Sequence, residues 1–187
     1  MLLPCAALAI YVALHGVVPP QLAQATDEGP VPSSFSLPLM TIQFQRTPAQ
    51  QQALDQLLKD QQDPSSPQYH KWLTPEETAD RFGLSRAGVA RVSSWLRSRG
   101  FRIHQIARGR EWITFSGTAK QVNTAFHVTI HRYRWENKVH YAPDREPSVP
   151  AALAEVVSGI LGLDDFAPSP RVGQAFQPAA GLLMRIR

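Results

Sequence analysis

Cysteine is almost absent from this sequence, because Cys5 is the only one among 187 residues. A single thiol cannot form a disulfide within the chain, so a fold held together by disulfides is excluded. Cys5 also lies in an apolar N-terminal run that we expect to be removed. The mature protein would then carry no thiol chemistry.

Charged residues are also scarce, at 18% of the chain against 43% hydrophobic residues, a composition typical of a globular protein with its own core. The net charge is +4, so an acidic protein or a nucleic acid could be a partner. The sequence has no Gly-rich phosphate loop and no internal repeat. One group of arginines could still bind phosphate: Arg97, Arg99, Arg102, Arg108 and Arg110. Acidic Glu111 adjoins this group, and an exported protein does not meet the usual nucleic acids, so a protein partner or a solvated surface is the better interpretation.

The first 25 residues predict an export signal. Residues 2–18 form an apolar run, and Ala23-Gln24-Ala25 is a small-x-small sequence of the kind that signal peptidases cut. No Lys or Arg precedes the run. A membrane anchor is the alternative, but Pro4, Pro19 and Pro20 leave too short a clean span. We therefore expect a signal peptide over residues 1–25, cleaved after Ala25, and a secreted protein.

Composition divides the rest of the chain into three parts. Residues 26–35 are polar and Pro-rich, which predicts a disordered lead-in. Residues 36–166 alternate between periodic apolar patterns and turn residues, which predicts one folded domain. Residues 167–187 are rich in Pro, Gly and Ala and are expected to be a linker or tail.

The periodic segments of the predicted domain give both helices and strands. Apolar alternation predicts strands over residues 37–46, 101–106, 111–115, 127–135 and 139–142. A final apolar run over 156–163 is either a strand or a buried extended segment. Caps and helical spacing predict helices over 48–61, 75–82, 86–99 and 117–125, with one more turn over 151–155. This order predicts an α+β fold, a ferredoxin-like antiparallel sheet with helices on one face.

One loop and the helix after it carry the most specific sequence of the chain. Thr74 is a predicted N-cap, Pro75 takes the first helical position, and Glu77 completes a capping box. By geometry alone this is an ordinary connection from a loop to a helix. The sequence Pro-Gln-Tyr-His-Lys-Trp-Leu-Thr-Pro-Glu-Glu, however, closely resembles the segment that marks the activation domain, or pro-domain, of sedolisin or kumamolisin-like serine-carboxyl peptidases. The resemblance extends over residues 36–166, and its loop residues are Tyr69, His70, Lys71, Trp72, Leu73, Thr74, Pro75 and Glu76.

The resemblance implies a fold similar to that of subtilisin pro-domains, and it implies no cofactor. It implies a non-catalytic pro-domain that docks on a sedolisin-like catalytic domain, assists its folding, and inhibits it until autoprocessing in acid. In the family the catalytic domain follows in the same chain, whereas residues 181–187 do not resemble its start. We therefore expect either a truncated gene or a domain that acts in trans. The alternative is a free-standing secreted protein-binding module without a peptidase partner.

Two carboxylates and a serine could be mistaken for a catalytic set. Glu76 and Asp80 are four residues apart on a predicted helix, and Ser116 precedes Gly117-Thr118. The family's peptidases use a Glu and an Asp at this spacing with a serine in Gly-Thr-Ser. Here Ala119 follows Thr118, so the nucleophilic hydroxyl is missing at that position. We expect no catalysis by this chain.

Two histidines invite a metal interpretation, which their spacing disfavours. His127 and His131 lie four residues apart on a predicted strand, a separation of about 13 Å that one ion cannot bridge. Satisfied or solvated histidines are the better interpretation, and we predict no metal site.

Alternation along the strands predicts two faces of the sheet. One face packs on the helices through Ile42, Phe44, Ile113, Phe115, Val128 and Ile130. No predicted helix is left to cover the other face, where Trp and Tyr in a polar surround are typical of interfaces. We predict that the partner docks there, with His104 on the same side, and the docking residues are Trp112, Thr114, Thr129, His131, Tyr133 and Trp135. The alternative is that the loop around residues 69–72 folds over this face.

Overall fold

The computed structural model describes residues 10–166. Its strands are β1 (Tyr11–Ala13), β2 (Thr26–Pro30), β3 (Ser36–Phe44), β4 (Arg102–Ile106), β5 (Trp112–Thr118), β6 (Ile130–Trp135), β7 (Lys138–Pro143), β8 (Ser148–Pro150) and β9 (Val157–Leu161). Its helices are α1 (Pro48–Gln62), α2 (Pro75–Phe82), α3 (Arg86–Ser98), α4 (Ala119–Phe126) and α5 (Ala151–Ala154), with a 3₁₀ turn at Pro20–Gln24. Within these residues, no helix combines the length and the apolar character needed to cross a membrane. The expected linker at 167–187 lies outside the described residues.

The main sheet has four antiparallel strands in the order β4-β5-β3-β9. The first strand of this set, β3, therefore lies inside the sheet, and the last strand, β9, lies at the edge beside it. This is the strand order of a split βαβ, ferredoxin-like arrangement. The α+β fold class predicted from the sequence is confirmed.

The core lies between this sheet and the helices α3 and α4. Ile42, Ile113 and Phe115 project from the sheet and are fully buried. From the helices, Leu96 and Phe126 join the same cluster, and the Phe126 ring lies 6.4 Å from that of Phe115. Helices therefore cover only one face of the four-stranded sheet.

The predicted place of the strand over 127–135 is wrong. This strand, β6, belongs to a separate three-stranded sheet in the order β2-β6-β7. Glu136 and Asn137 both have positive φ, a two-residue turn that pairs β6 with β7. β2 occupies the other edge of β6, and β9 pairs with β3 in the four-stranded sheet.

Helices α1 and α2 form a unit beside the main core. Both begin with complete capping boxes, at Thr47 and Thr74, as predicted for the second helix. Their contact buries Leu57, Ala79 and Phe82, which lie outside the main hydrophobic cluster. Ion pairs of Glu76 with Arg108 and of Asp80 with Arg110 join this unit to the rest of the domain.

The N-terminal part of the described chain is folded, contrary to expectation. The predicted disordered lead-in over 26–35 contains β2, and Val31 is buried in the main core. Residues 10–25 of the expected signal peptide also pack on the domain, through β1 and Leu14. The sequence did not predict β2 because its partner β6 lies about a hundred positions away. Cleavage after Ala25 stays a prediction. Residues 1–9 lie outside the described part of the chain.

Candidate docking surface

The six predicted docking residues do not share one surface. Trp112 and Thr114 lie on β5 of the four-stranded sheet, both half-buried. His131, Tyr133 and Trp135 lie on β6 of the three-stranded sheet, and Thr129 directly precedes that strand. The prediction of a single aromatic face is wrong in this respect, because it assumed that β5 and β6 belong to one sheet.

Tyr133 is a core residue of the second sheet. Its side chain is only 6% exposed and packs with Ala142 and Phe166, while Leu22 and Ala25 cover the cluster. Burial raises the pKa of its hydroxyl. The cover therefore comes from the N-terminal segment, and the loop around residues 69–72 does not supply it.

His131 is engaged with the N-terminal segment as well. Its Nδ1 lies 2.8 Å from a carboxylate oxygen of Asp27 on β2. The N–H of Gly29 donates to the same carboxylate, and this bond is the main reason that the pKa of Asp27 is lowered. The His131 ring also lies 6.1 Å from that of Tyr133. His131 thus helps to hold β2 in place.

The uncovered face of the four-stranded sheet carries a different set of residues. Leu39 and Leu161 are 61% and 55% exposed, which is unusual for leucines on strands. In register, Thr41 lies between Leu161 and Thr114, and Gln43 lies opposite Trp112. We call this surface the open face, and its members are Leu39, Thr41, Gln43, Trp112, Thr114 and Leu161.

Two of the predicted residues belong to the open face, and four of its members were missed. Alternation along β3 puts Leu39, Thr41 and Gln43 on the side opposite Ile42 and Phe44, so the sequence carries a signal for them. Leu161 had no such signal, because the segment 156–163 could be a strand or a buried extended run. Beside this set, His104 lies 2.8 Å from the hydroxyl oxygen of Ser116.

The family-motif loop forms an exposed aromatic stack. The Tyr69 and His70 rings lie 3.8 Å apart, and His70 lies 6.1 Å from Trp72, which is 69% exposed. The Gln61 side chain holds this loop on α1 by donating to the Lys71 carbonyl, and the Gln61 carbonyl accepts from the His70 N–H. The loop is therefore built on the helical unit.

Residues after the loop tie the helical unit to the turn between β4 and β5. The Arg108 guanidinium lies 2.8 Å from a Glu76 oxygen and lowers the pKa of Glu76. Arg110 pairs with Asp80 at 2.6 Å. A Cβ on Gly83 would lie 2.3 Å from the Gly109 carbonyl oxygen, so only glycine permits this close approach.

The structure also places the residues considered for catalysis or metal binding. Glu76 and Asp80 each face their own arginine, and the Ser116 hydroxyl faces His104. His127 lies against Tyr11, with ring centroids 3.8 Å apart, whereas His131 faces Asp27. Within residues 10–166, no group of three or more His, Cys, Asp or Glu side chains could hold a metal ion.

Comparison with known proteins gives one family and several relatives. The family model described as "Pro-kumamolisin, activation domain" matches residues 23–166. Sedolisin from Pseudomonas sp. (strain 101) is 31% identical over 124 residues, which cover 65% of this chain and 21% of sedolisin. Xanthomonalisin from Xanthomonas sp. (strain T-22) is 30% identical over 115 residues, which cover 62% of this chain and 14% of that protein. Mouse tripeptidyl-peptidase 1 is 32% identical over 119 residues, 62% of this chain and 21% of that protein. The match thus spans about a fifth or less of each relative.

Proposed function

Since the chain belongs to the family of pro-kumamolisin activation domains, we propose that it serves as the non-catalytic pro-domain of a sedolisin-type serine peptidase. In this proposal the domain docks on the catalytic domain, assists its folding as an intramolecular chaperone, and inhibits it until the pro-domain is removed by autoprocessing in acid. The partner is in cis in the family, and docking in trans is part of the proposal for this chain.

The observation that carries the proposal is the open face. A four-stranded sheet with helices on one side leaves Leu39, Trp112 and Leu161 on the other side facing water. Exposed apolar groups arranged among polar ones are typical of protein interfaces. The sheet behind them is packed on the core, because Ile42, Ile113 and Phe115 are fully buried. A partner can therefore dock without a costly reordering of this surface.

The proposed role needs no chemistry from this chain. A partner surface that folds against a preformed sheet gains apolar contacts before its own core is complete, which favours its native state. A domain that stays docked blocks access to the surface it covers. Chaperone and inhibitor roles thus follow from one interface. Secretion, which the sequence predicts, stays a prediction.

Inhibition in trans tests the proposal. The full chain is titrated against the catalytic domain of a sedolisin-type peptidase, and residual cleavage of a peptide substrate is measured at constant pH. We expect saturable inhibition, which the open-face variant Trp112→Ala weakens. The matched control is Val139→Ala, an exposed residue on β7 of the other sheet. Inhibition that Trp112→Ala and Val139→Ala weaken equally would contradict docking on the open face. If the chain binds another protein but inhibits no sedolisin-type peptidase, the result would favour the free-standing binding module.

A further inference from the structure

Arginines are concentrated in one stretch of the chain. Residues 81–110 contain eight arginines and no acidic residue, whereas residues 48–80 contain six acidic residues and two lysines. Two of these arginines, Arg108 and Arg110, are paired with Glu76 and Asp80. Within residues 10–166, the other six arginines of the stretch form no ion pair. Their charges are therefore available to a partner.

Helix α3 presents three of these six arginines on one side. Arg86, Arg91 and Arg97 are exposed, while Val92 and Leu96 point to the core and are fully buried. With a rise of about 1.5 Å per residue, Arg86 and Arg97 lie about 16 Å apart along the helix axis. The exposed side of α3 is thus a row of positive charge about three turns long.

Small exposed side chains separate these arginines, namely Ala87, Ala90, Ser94 and Ser98. The guanidinium groups therefore stand above their neighbours, and a bound segment can lie between them. Where α3 ends, Ser98 and Arg99 line a surface cavity with Lys120 of α4. We call this surface the basic face, and its members are Arg86, Arg91, Arg97, Arg99 and Lys120.

Helix stability does not account for the basic face. Arg86 stands at the first position of α3, and the first turn contains no acidic residue, so this positive charge opposes the helix dipole. Arg91 and Arg97 add charge of the same sign along the helix, and within residues 10–166 no carboxylate pairs with them. An anionic partner would remove both penalties.

The surroundings of the basic face limit the length of that anion. Arg86 lines one surface cavity with Glu76 and Asp80, so the acidic helical unit begins at this end of the face. A long polyanion such as a nucleic acid would extend over these carboxylates and be repelled. The aromatic residue of α3, Trp95, is half-buried and packs edge-on against Phe126 with ring centroids 5.4 Å apart, so it offers bases no stacking surface. A short anionic segment fits better than a nucleic acid.

We propose that the basic face binds a short acidic segment of a partner protein. Arg86, Arg91 and Arg97 supply planar guanidinium groups, each of which can donate two parallel hydrogen bonds to a carboxylate. Aspartate or glutamate side chains spread over about 16 Å would meet all three. Because α3 covers the core side of the four-stranded sheet, the basic face points away from the open face, and both surfaces can be occupied together. This inference does not rest on the proposed function.

Binding of a peptide of six glutamates tests the proposal. The peptide reaches about 20 Å when extended, enough to span the three arginines of α3. Fluorescence anisotropy of the labelled peptide is measured against the full chain at pH 7 and low salt, and we expect saturable binding that weakens as salt is added. The double variant Arg91→Ala/Arg97→Ala should weaken binding by about tenfold or more. The matched control is Arg46→Ala/Lys138→Ala, which removes the same charge from exposed positions outside α3 and should weaken binding by less than about twofold.

The two double variants decide whether the site is specific. Equal weakening in both would show attraction by net charge alone and would overturn the proposal, as would the absence of saturable binding by the unchanged protein. If the alanine variant does not fold, Arg91→Lys/Arg97→Lys keeps the charge, removes the guanidinium groups and should still weaken binding. Lysine substitutions that leave the affinity unchanged would overturn the assigned role of the guanidinium groups.

Two other measurements separate the peptide from other anions and from the peptidase. Tighter binding of a six-nucleotide single-stranded DNA, or of vesicles of phosphatidylserine and phosphatidylcholine, would overturn the choice of an acidic protein segment. Arg91→Ala/Arg97→Ala should inhibit a sedolisin-type peptidase as well as the unchanged chain does. Weaker inhibition by this variant would place the basic face in the peptidase interface and overturn a separate site. Failure of inhibition by the unchanged chain would instead contradict the proposed function and leave the peptide measurement intact.

Discussion

Single residues on neighbouring positions of β5 have opposite environments. Trp112 is half-buried on the open face, whereas Ile113 and Phe115 are fully buried in the core. Alternation predicted this difference from the sequence, because side chains of a strand point to opposite faces in turn. Alternation could not show that Tyr133, in the same predicted face, lies beneath Leu22 and Ala25.

The pair Trp112 and Phe115 gives the first prediction. Trp112→Ala should weaken inhibition in trans by about tenfold or more, because truncating an aromatic anchor of an interface often costs at least about 2 kcal/mol. Phe115→Ala should lower the free energy of unfolding of the free protein by about 3–5 kcal/mol. Tyr133→Ala should also lower the free energy of unfolding, since this ring is buried. Urea denaturation and inhibition assays measure both effects. A Trp112→Ala variant as unstable as Phe115→Ala would place this ring in the core.

Asp164 gives the second prediction, one of pH dependence. Burial is the main reason that the pKa of Asp164 is raised, while the Phe166 N–H opposes the shift by donating to its carboxylate at 3.0 Å. A carboxyl whose pKa is higher in the folded state stabilises the folded state when it is protonated. Ionisation of this carboxyl therefore lowers the free energy of unfolding, and the loss develops as pH rises through the unfolded-state pKa and then the folded-state pKa. Asp164→Asn removes the charge and keeps an oxygen for Phe166. Its melting temperature should exceed that of the unchanged protein at pH 7 and not at pH 3. A gain of equal size at both pH values would contradict this account.

At the scale of secondary-structure elements, the sequence predicted most helices and strands well. α2 begins at Pro75 and ends at Phe82 as predicted, because capping residues and a terminal glycine are local signals. The strand over 127–135 begins later, at Ile130, because His127 takes a left-handed conformation at the end of α4. Local signals thus define where an element lies in the sequence.

The cap of α2 gives the third prediction. The Thr74 hydroxyl accepts from the Glu77 N–H at 3.2 Å, and Glu77 bonds back to the Thr74 N–H at 2.8 Å. Thr74→Ala should therefore lower the free energy of unfolding by about 1 kcal/mol. Thr124→Ala is the control, since Thr124 lies inside α4 and its hydroxyl bonds to a carbonyl of the preceding turn. Equal losses in the two variants, measured by urea denaturation, would argue against the cap.

At the scale of the whole molecule, strand pairing was the part that the sequence could not give. β2 and β6 are partners across about a hundred residues, and so are β3 and β9. No local period carries such information, because every strand with one apolar face fits several neighbours equally well. The division into two larger sheets follows from these pairings. Because of this division, only Trp112 and Thr114 of the six predicted docking residues lie on the open face.

The position of the histidines relative to the open face gives the last prediction. His104 lies beside this face with Ser116, whereas His131 lies on the other sheet with Asp27. A partner that covers the open face also covers the His104 ring and its contact with Ser116. His104→Gln should therefore weaken inhibition in trans, whereas His131→Gln should leave it unchanged, as measured by residual peptide cleavage at constant pH. Inhibition that weakens with His131→Gln and not with His104→Gln would place the partner on the three-stranded sheet.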